Sequence, residues 1–160
     1  MGKVLSTFLN GMSGAISRSV DDVVVSFRNM SGGAIPFGAP VFLNAAGTGL
    51  TLFVPGTTDS DRFVGFAVRI PDKTPETFDS NAGQYNANDP VDVLVRGSMA
   101  VRIDSAAAAG SSLYMRKSDS KIVASAGAEG STVQLPHVTV RTARDSASVC
   151  EVVVTERNIL

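Results

Sequence analysis

Chemistry in a protein needs side chains that hold a metal, move a proton or attack an electrophile, and these 160 residues carry few of them. His137 is the one histidine and Cys150 the one cysteine. A metal centre needs several His, Cys or carboxylate ligands converging, and no Cys-x-x-Cys or His-x-x-x-His spacing occurs. Nucleophilic catalysis needs a Ser or Cys beside a base that an acid orients, yet no Gly-x-Ser-x-Gly is present. Phosphate-cradling loops of the Gly-x-Gly-x-x-Gly or Walker type are missing as well. Cys150, between Val149 and Glu151, reads as a small buried apolar side chain. His137, after Pro136 in a strand pattern, reads as a satisfied or surface histidine. Asp59 and Asp61 beside Arg62, or Asp89 with Asp92, could be imagined as paired carboxylates, but Asp at strand entrances is ordinarily turn chemistry. Arg96 and Arg102 read as solvent-facing or salt-paired. The expectation is a non-enzyme with no catalytic residue, no cofactor and no metal.

The composition narrows the class. Fourteen Lys+Arg against 15 Asp+Glu give a net charge of −1, so no global basic field recruits nucleic acid or an anionic membrane. One cysteine cannot form an internal disulfide. No uncharged apolar run is long enough for a membrane-spanning helix. Charged residues make up 18% of the chain, below the roughly 25% usual in globular proteins, which hints that partners cover some of the surface. Valine far outnumbers leucine, and Gly and Ser are frequent, a mix that suits strands joined by tight turns.

The elements that would position any site follow from periodicity. Residues 1–20 hold no sustained period of 2 or 3.6 and carry Gly2, Gly11 and Gly14 among apolar residues, although Val4, Leu5, Phe8, Leu9 and Met12 would roughly share a helical face; they read as an extended N-terminal arm that orders on another chain, or equally as a first element tucked onto its own domain. Residues 21–160 read as a single β domain. Val23, Val25 and Phe27 alternate with Val24, Ser26 and Arg28. Val41–Leu43 and Leu50–Val54 flank Gly47 and Gly49 as a hairpin. Arg62–Ile70 is the strongest strand, with Val64, Phe66, Val68 and Ile70 on one face and the small Gly65 and Ala67 on the other. Residues 71–89 read as a long excursion. Strands resume over Pro90–Arg96 and, past a Gly97-Ser98 bend, over Met99–Ile103. Ala106–Ala109 could make one helical turn; Ser112–Arg116 and Ile122–Ala124 flank Ser118-Asp119-Ser120 as a second hairpin. Gln134–Arg141 and Ala147–Val154 close the chain. Nine or ten short strands with regular turn signals predict an all-β fold, a small barrel-like or β-sandwich domain.

Several blocks, in order, resemble a known family. Gly33-Ala34-Ile35-Pro36-Phe37-Gly38-Ala39-Pro40-Val41 is followed by Asp61-Arg62-Phe63-Val64-Gly65-Phe66-Ala67-Val68-Arg69. Then come Tyr85-Asn86-Ala87-Asn88-Asp89-Pro90-Val91-Asp92-Val93-Leu94-Val95-Arg96-Gly97 and Ala109-Gly110-Ser111-Ser112-Leu113-Tyr114. Over about residues 20–155 the chain resembles the structural cement, or capsid decoration, proteins of tailed bacteriophages. The resemblance implies a barrel-like domain on the outer surface of a phage head, made in the host cytoplasm and without enzymatic activity. Its implied partners are the major capsid protein, whose neighbouring subunits it would bridge against the pressure of packed DNA, and sister copies as a dimer or trimer. Residues 156–160 lie beyond the resemblance.

The residues themselves suit that role. Phe8, Leu9 and Met12, in a Gly-broken segment, need burial somewhere and are the expected contacts to a capsid subunit or a sister chain. A carbohydrate- or cell-surface-binding module of a virion is the alternative, but it would be expected to display Trp and Tyr; Trp is absent and only Tyr85 and Tyr114 occur. A trimeric nucleotide hydrolase would need Asp and phosphate-binding motifs that are missing.

Overall fold

A computed structural model describes residues 10–54, 62–70 and 83–158. Among them there is no α-helix, and Ala106–Ala109 forms no helical turn. The strands are β1 (Ile16–Arg28), β2 (Ile35–Pro36), β3 (Pro40–Leu43), β4 (Leu50–Thr51), β5 (Phe63–Ala67) and β6 (Gln84–Tyr85). They continue as β7 (Pro90–Arg102), β8 (Ser112–Arg116), β9 (Ile122–Val123), β10 (Thr132–Val140) and β11 (Val149–Val154). One nine-stranded sheet runs β4-β3-β5-β7-β11-β10-β8-β9, with β1 paired to β7, and curls into a half-barrel. A two-stranded sheet joins β2 to β6. All of these strand pairs are antiparallel. The all-β expectation holds, and both expected hairpins form: β3–β4 around Gly47 and Gly49, and β8–β9 around Ser118-Asp119-Ser120.

Two apolar clusters hold the sheet. One gathers Phe42, Phe53, Phe63, Phe66, Leu94 and many residues of β7 to β11. The other gathers Ile35, Val41, Leu50, Val64, Tyr85, Val93 and Val95, with Val23, Val25 and Phe27 of β1 against it. Neighbours in sequence such as Val41 and Phe42, or Val93 and Leu94, fall into different clusters because successive strand residues face opposite sides. The middle of the sheet is therefore covered on both faces, and all five residues of β5 are buried.

The expected face of β5 needs correction. Val41 pairs with Gly65 but Phe42 pairs with Phe63, so Val64 is an extra residue in the ladder, a β-bulge. The bulge resets the alternation. Phe63 and Phe66 thus share one cluster while Val64 joins Ala67 in the other. The small residue at 65 does admit another backbone: an added Cβ would overlap the Leu94 carbonyl oxygen.

Two further expectations change. The two strands foreseen on either side of Gly97 are one strand, β7, which continues because Gly97 adopts φ +125°, a left-handed geometry that side chains resist. The boundary placed at residue 20 falls inside β1. Residues 10–15 are also tied to the domain. Gly14 donates its N–H to Ala100 O (2.8 Å), Ala100 donates to Ala15 O (2.9 Å), and Asn10 N donates to Asp145 Oδ2 (2.7 Å). An irregular segment can satisfy its backbone on distant elements without any periodicity to announce it. Residues 1–9, with Phe8 and Leu9, and 71–82 of the expected excursion lie outside the described residues.

Candidate functional site

The residues that could do chemistry are kept apart or tied up. Cys150, in β11, is fully buried, and burial followed by the nearby Asp145 carboxylate pushes its thiol up to about 12, despite the opposing pull of Arg144. A thiol held protonated at neutral pH is a packing group, not a nucleophile. His137, in β10, has φ +56° and an exposed ring whose Nδ1 lies 3.6 Å from Glu156 Oε2 at the surface. Asp89 accepts the Asn86 N–H (3.0 Å) and closes a turn, as its position suggested, and Asp92 accepts from Ser26 Oγ. Asp59 and Asp61 lie outside the described residues. Arg96 and Arg102 are exposed on β7. No group of three or more His, Cys, Asp or Glu converges among the described residues.

Among the described residues, Glu151 is the acidic residue that is buried as a whole, and sequence reasoning missed it. Its side chain is only 7% exposed, and Arg18 of β1 donates Nε to Oε1 at 2.7 Å while Ser17 Oγ donates at 2.8 Å. Burial alone would push this carboxyl up, but the hydrogen bonds from Arg18 and Ser17 and the fields of Arg18 and Arg141 outweigh it and hold the group below its ordinary value. The pair clamps the start of β1 onto β11. A carboxyl lowered on folding contributes stability that is complete above its unfolded value and lost as pH falls through the folded one. Glu151→Gln is therefore expected to cost about 1–3 kcal/mol at neutral pH. It should also flatten the loss of melting temperature between about pH 5 and about pH 3. Melting curves across that range that run parallel in wild type and variant would refute the assignment.

What remains is surface. Open depressions of about 580 Å³ beside Arg116, Val123 and Thr132, and of about 480 Å³ beside Phe37, Ile103 and Lys121, indent it. Arg116 is already committed to Asp104 (3.0 Å) and Asp119 (2.7 Å). Among the described residues, the large apolar side chains left exposed are Met12, Ile16, Val20, Val24, Met30 and Val54, three of them on β1. Of the three contacts expected from sequence, Met12 is 48% exposed. Reading residues 1–20 as an arm hid the β1 surface; the signal available was Ile16, Val20 and Val24, apolar at even spacing among Ser, Arg and Asp.

Residues 4–155 match the phage family described as structural cement protein (E217 gp24/Pam3 gp6). The chain belongs to that structural cement protein family. A chain from the capsid of Myoviridae phage XM1 shares the fold, with a TM-score of 0.74 and 17% identity over 97% of this chain and 96% of that one. No curated protein matches the sequence. The family match extends past both ends of the motif blocks seen in the sequence, and toward the N-terminus it takes in Phe8, Leu9, Met12 and the whole of β1. Cement proteins are structural proteins, so the surface, and not the buried thiol or the isolated histidine, is where the site is to be sought.

Proposed function

We propose that this protein stabilises a phage head by binding the outer surface of the assembled shell and bridging neighbouring major capsid protein subunits, without catalysing a reaction. Membership of the structural cement family is the observation that carries the reading. The buried, protonated Cys150 and the outlying His137–Glu156 pair support its non-enzymatic part. The mechanism is binding linkage. A ligand that engages the assembled shell but not separated subunits shifts the equilibrium toward the shell by mass action. Several modest patches engaged at once supply avidity without any single tight contact. Phe8, Leu9 and Met12 are the proposed contacts to a capsid subunit or sister chain; of these, Met12 lies in residues 10–15, which hydrogen bonds tie to the domain.

Heads stripped of the protein provide the test. Adding it back is expected to raise the temperature at which packed heads release DNA, and bound copies should be countable by mass spectrometry. Each buried aromatic or aliphatic side chain is worth about 1.5–3 kcal/mol, so the triple variant Phe8→Ala, Leu9→Ala, Met12→Ala should bind heads more than about tenfold more weakly. Wild-type occupancy by the triple variant would overturn the contact assignment. No protein on the heads, or no change in the release temperature, would overturn the function.

A further inference from the structure

Where β7 ends opposite the start of β11, at Arg102 and Val149, the surface carries positive charge that nothing nearby neutralises. The depression of about 480 Å³ at this place has an apolar floor, lined by the buried Phe37, Ile103 and Ile122. Its rim holds three cations, Arg102, Lys121 and Arg144, against the carboxylate of Asp104. Asp104 is already taken, by Arg116 at 3.0 Å and by Lys121 at 3.4 Å. Arg102 and Arg144 enter no ion pair among the described residues. Arg144 is nonetheless fixed in place by neutral acceptors. Its Nε donates to Ile103 O (2.9 Å) and its Nη2 to Ser148 Oγ (2.6 Å), so Nη1 is unspent. A guanidinium held in this way keeps its charge available, and binding a partner costs it little further rotamer freedom.

We infer, resting on the capsid-binding reading, that this depression seats an acidic segment of a capsid subunit. Carboxylates of that segment meet Arg102 and Arg144, and an apolar side chain between them covers the floor. The planar fork of a guanidinium suits a carboxylate, which it can hold through two parallel hydrogen bonds. Phe37, Ile103 and Ile122 supply the apolar part of the contact, so the occupant is an acidic peptide with an apolar residue and not a bare anion. A nucleic acid fits less well. It carries a phosphate at every step and would run onto the exposed carboxylates of Asp104 and Asp119, which flank Arg116. A peptide can set its charges at two points and leave the rest neutral. With a net charge of −1 the whole chain exerts little long-range pull on an acidic partner. The two unpaired arginines therefore act locally, fixing where and in which orientation the capsid segment lies.

Binding of the full chain to heads stripped of it tests the assignment. Arg102 is exposed and unpaired, so Arg102→Glu should melt like wild type. It should bind heads more than about tenfold more weakly, because a carboxylate then faces the acidic segment. Arg102→Gln should fall between the two. Arg96→Glu makes the same change of charge on the same strand but away from the depression, and should bind like wild type. Arg102→Lys keeps the charge and adds an amine. On saturated heads a carbodiimide, which joins amines to carboxylates in direct contact, should link that amine to an Asp or Glu of the capsid protein. Wild-type binding by Arg102→Glu overturns the inference and leaves the capsid reading standing. So does equal weakening by Arg96→Glu, which would make the effect one of net charge, or the absence of the cross-link from saturated heads. A wild type that does not bind heads overturns the capsid reading, and the inference falls with it.

Discussion

Gly65→Ala is expected to destabilise the protein by at least about 3 kcal/mol, the upper range for forcing atoms into a packed interior. The single added carbon would overlap the Leu94 carbonyl oxygen and lie 2.9 Å from its carbon and 3.0 Å from Val93 Cγ1. Those are mostly backbone atoms of β7, and β7 cannot retreat. It is held by β5 through Phe66 opposite Leu94, by β1 from Ile16 to Arg28, and by β11 from Val149 to Val154. Relief must come from parting β5 and β7, which opens both apolar clusters at once. For a chain of this length the loss corresponds to a fall of roughly 6–12 °C in melting temperature. Gly33→Ala is the control, since an added Cβ there meets nothing within 4 Å, and it should stay within about 0.5 kcal/mol of wild type. Equal melting temperatures for the two variants would show that β5 and β7 do not approach as closely as described.

Phe63→Ala is expected to cost about 3–5 kcal/mol, as large aromatic deletions in cores do. The Phe63 ring is fully buried and sits between two others, 5.6 Å from Phe42 and 5.5 Å from Phe66 between centroids, both edge-on. Phe53 extends the chain of rings from Phe42 at 5.6 Å. Deleting a middle ring removes its burial and two aromatic contacts, each of which is worth about 0.5–1.5 kcal/mol beyond area. The surrounding strands are paired on both sides and can collapse little into the space. Urea denaturation should show a midpoint far below that of wild type, and Phe27→Ala, at a partly buried ring on β1, should be milder. A Phe63→Ala midpoint at or above that of Phe27→Ala would contradict the central place given to this ring.

The legible part of this protein is local. Alternation over Val23–Phe27 and Pro90–Arg96, and the turn residues at Gly47, Gly49 and Ser118-Asp119-Ser120, announced strands and hairpins because pleating and turn geometry depend on residues a few positions apart. The poverty of chemistry was equally plain, since one histidine and one cysteine cannot assemble a metal centre of several such ligands wherever the fold puts them. The motif blocks also pointed to the family that the match over residues 4–155 established.

The rest depended on partners far off in the chain. Asn10 bonds Asp145, 135 residues away, and Arg18 clamps Glu151, 133 residues away, so residues 10–18 read as a loose arm until their distant partners are in view. The Val64 bulge is invisible in Phe63–Ala67 itself, because a bulge is a mismatch between two strands and exists only once Val41 and Phe42 have chosen their partners. Gly97 looked like a bend for the same reason: whether a left-handed glycine turns the chain or lets a strand run on is decided by Asp22 and β11 packed against it, not by the residues on either side. Short-range periodicity thus determined the class and its building blocks. Register and the company kept by each charge were decided by tertiary pairing, because hydrogen bonds across a sheet join residues whose separation along the chain carries no local signal.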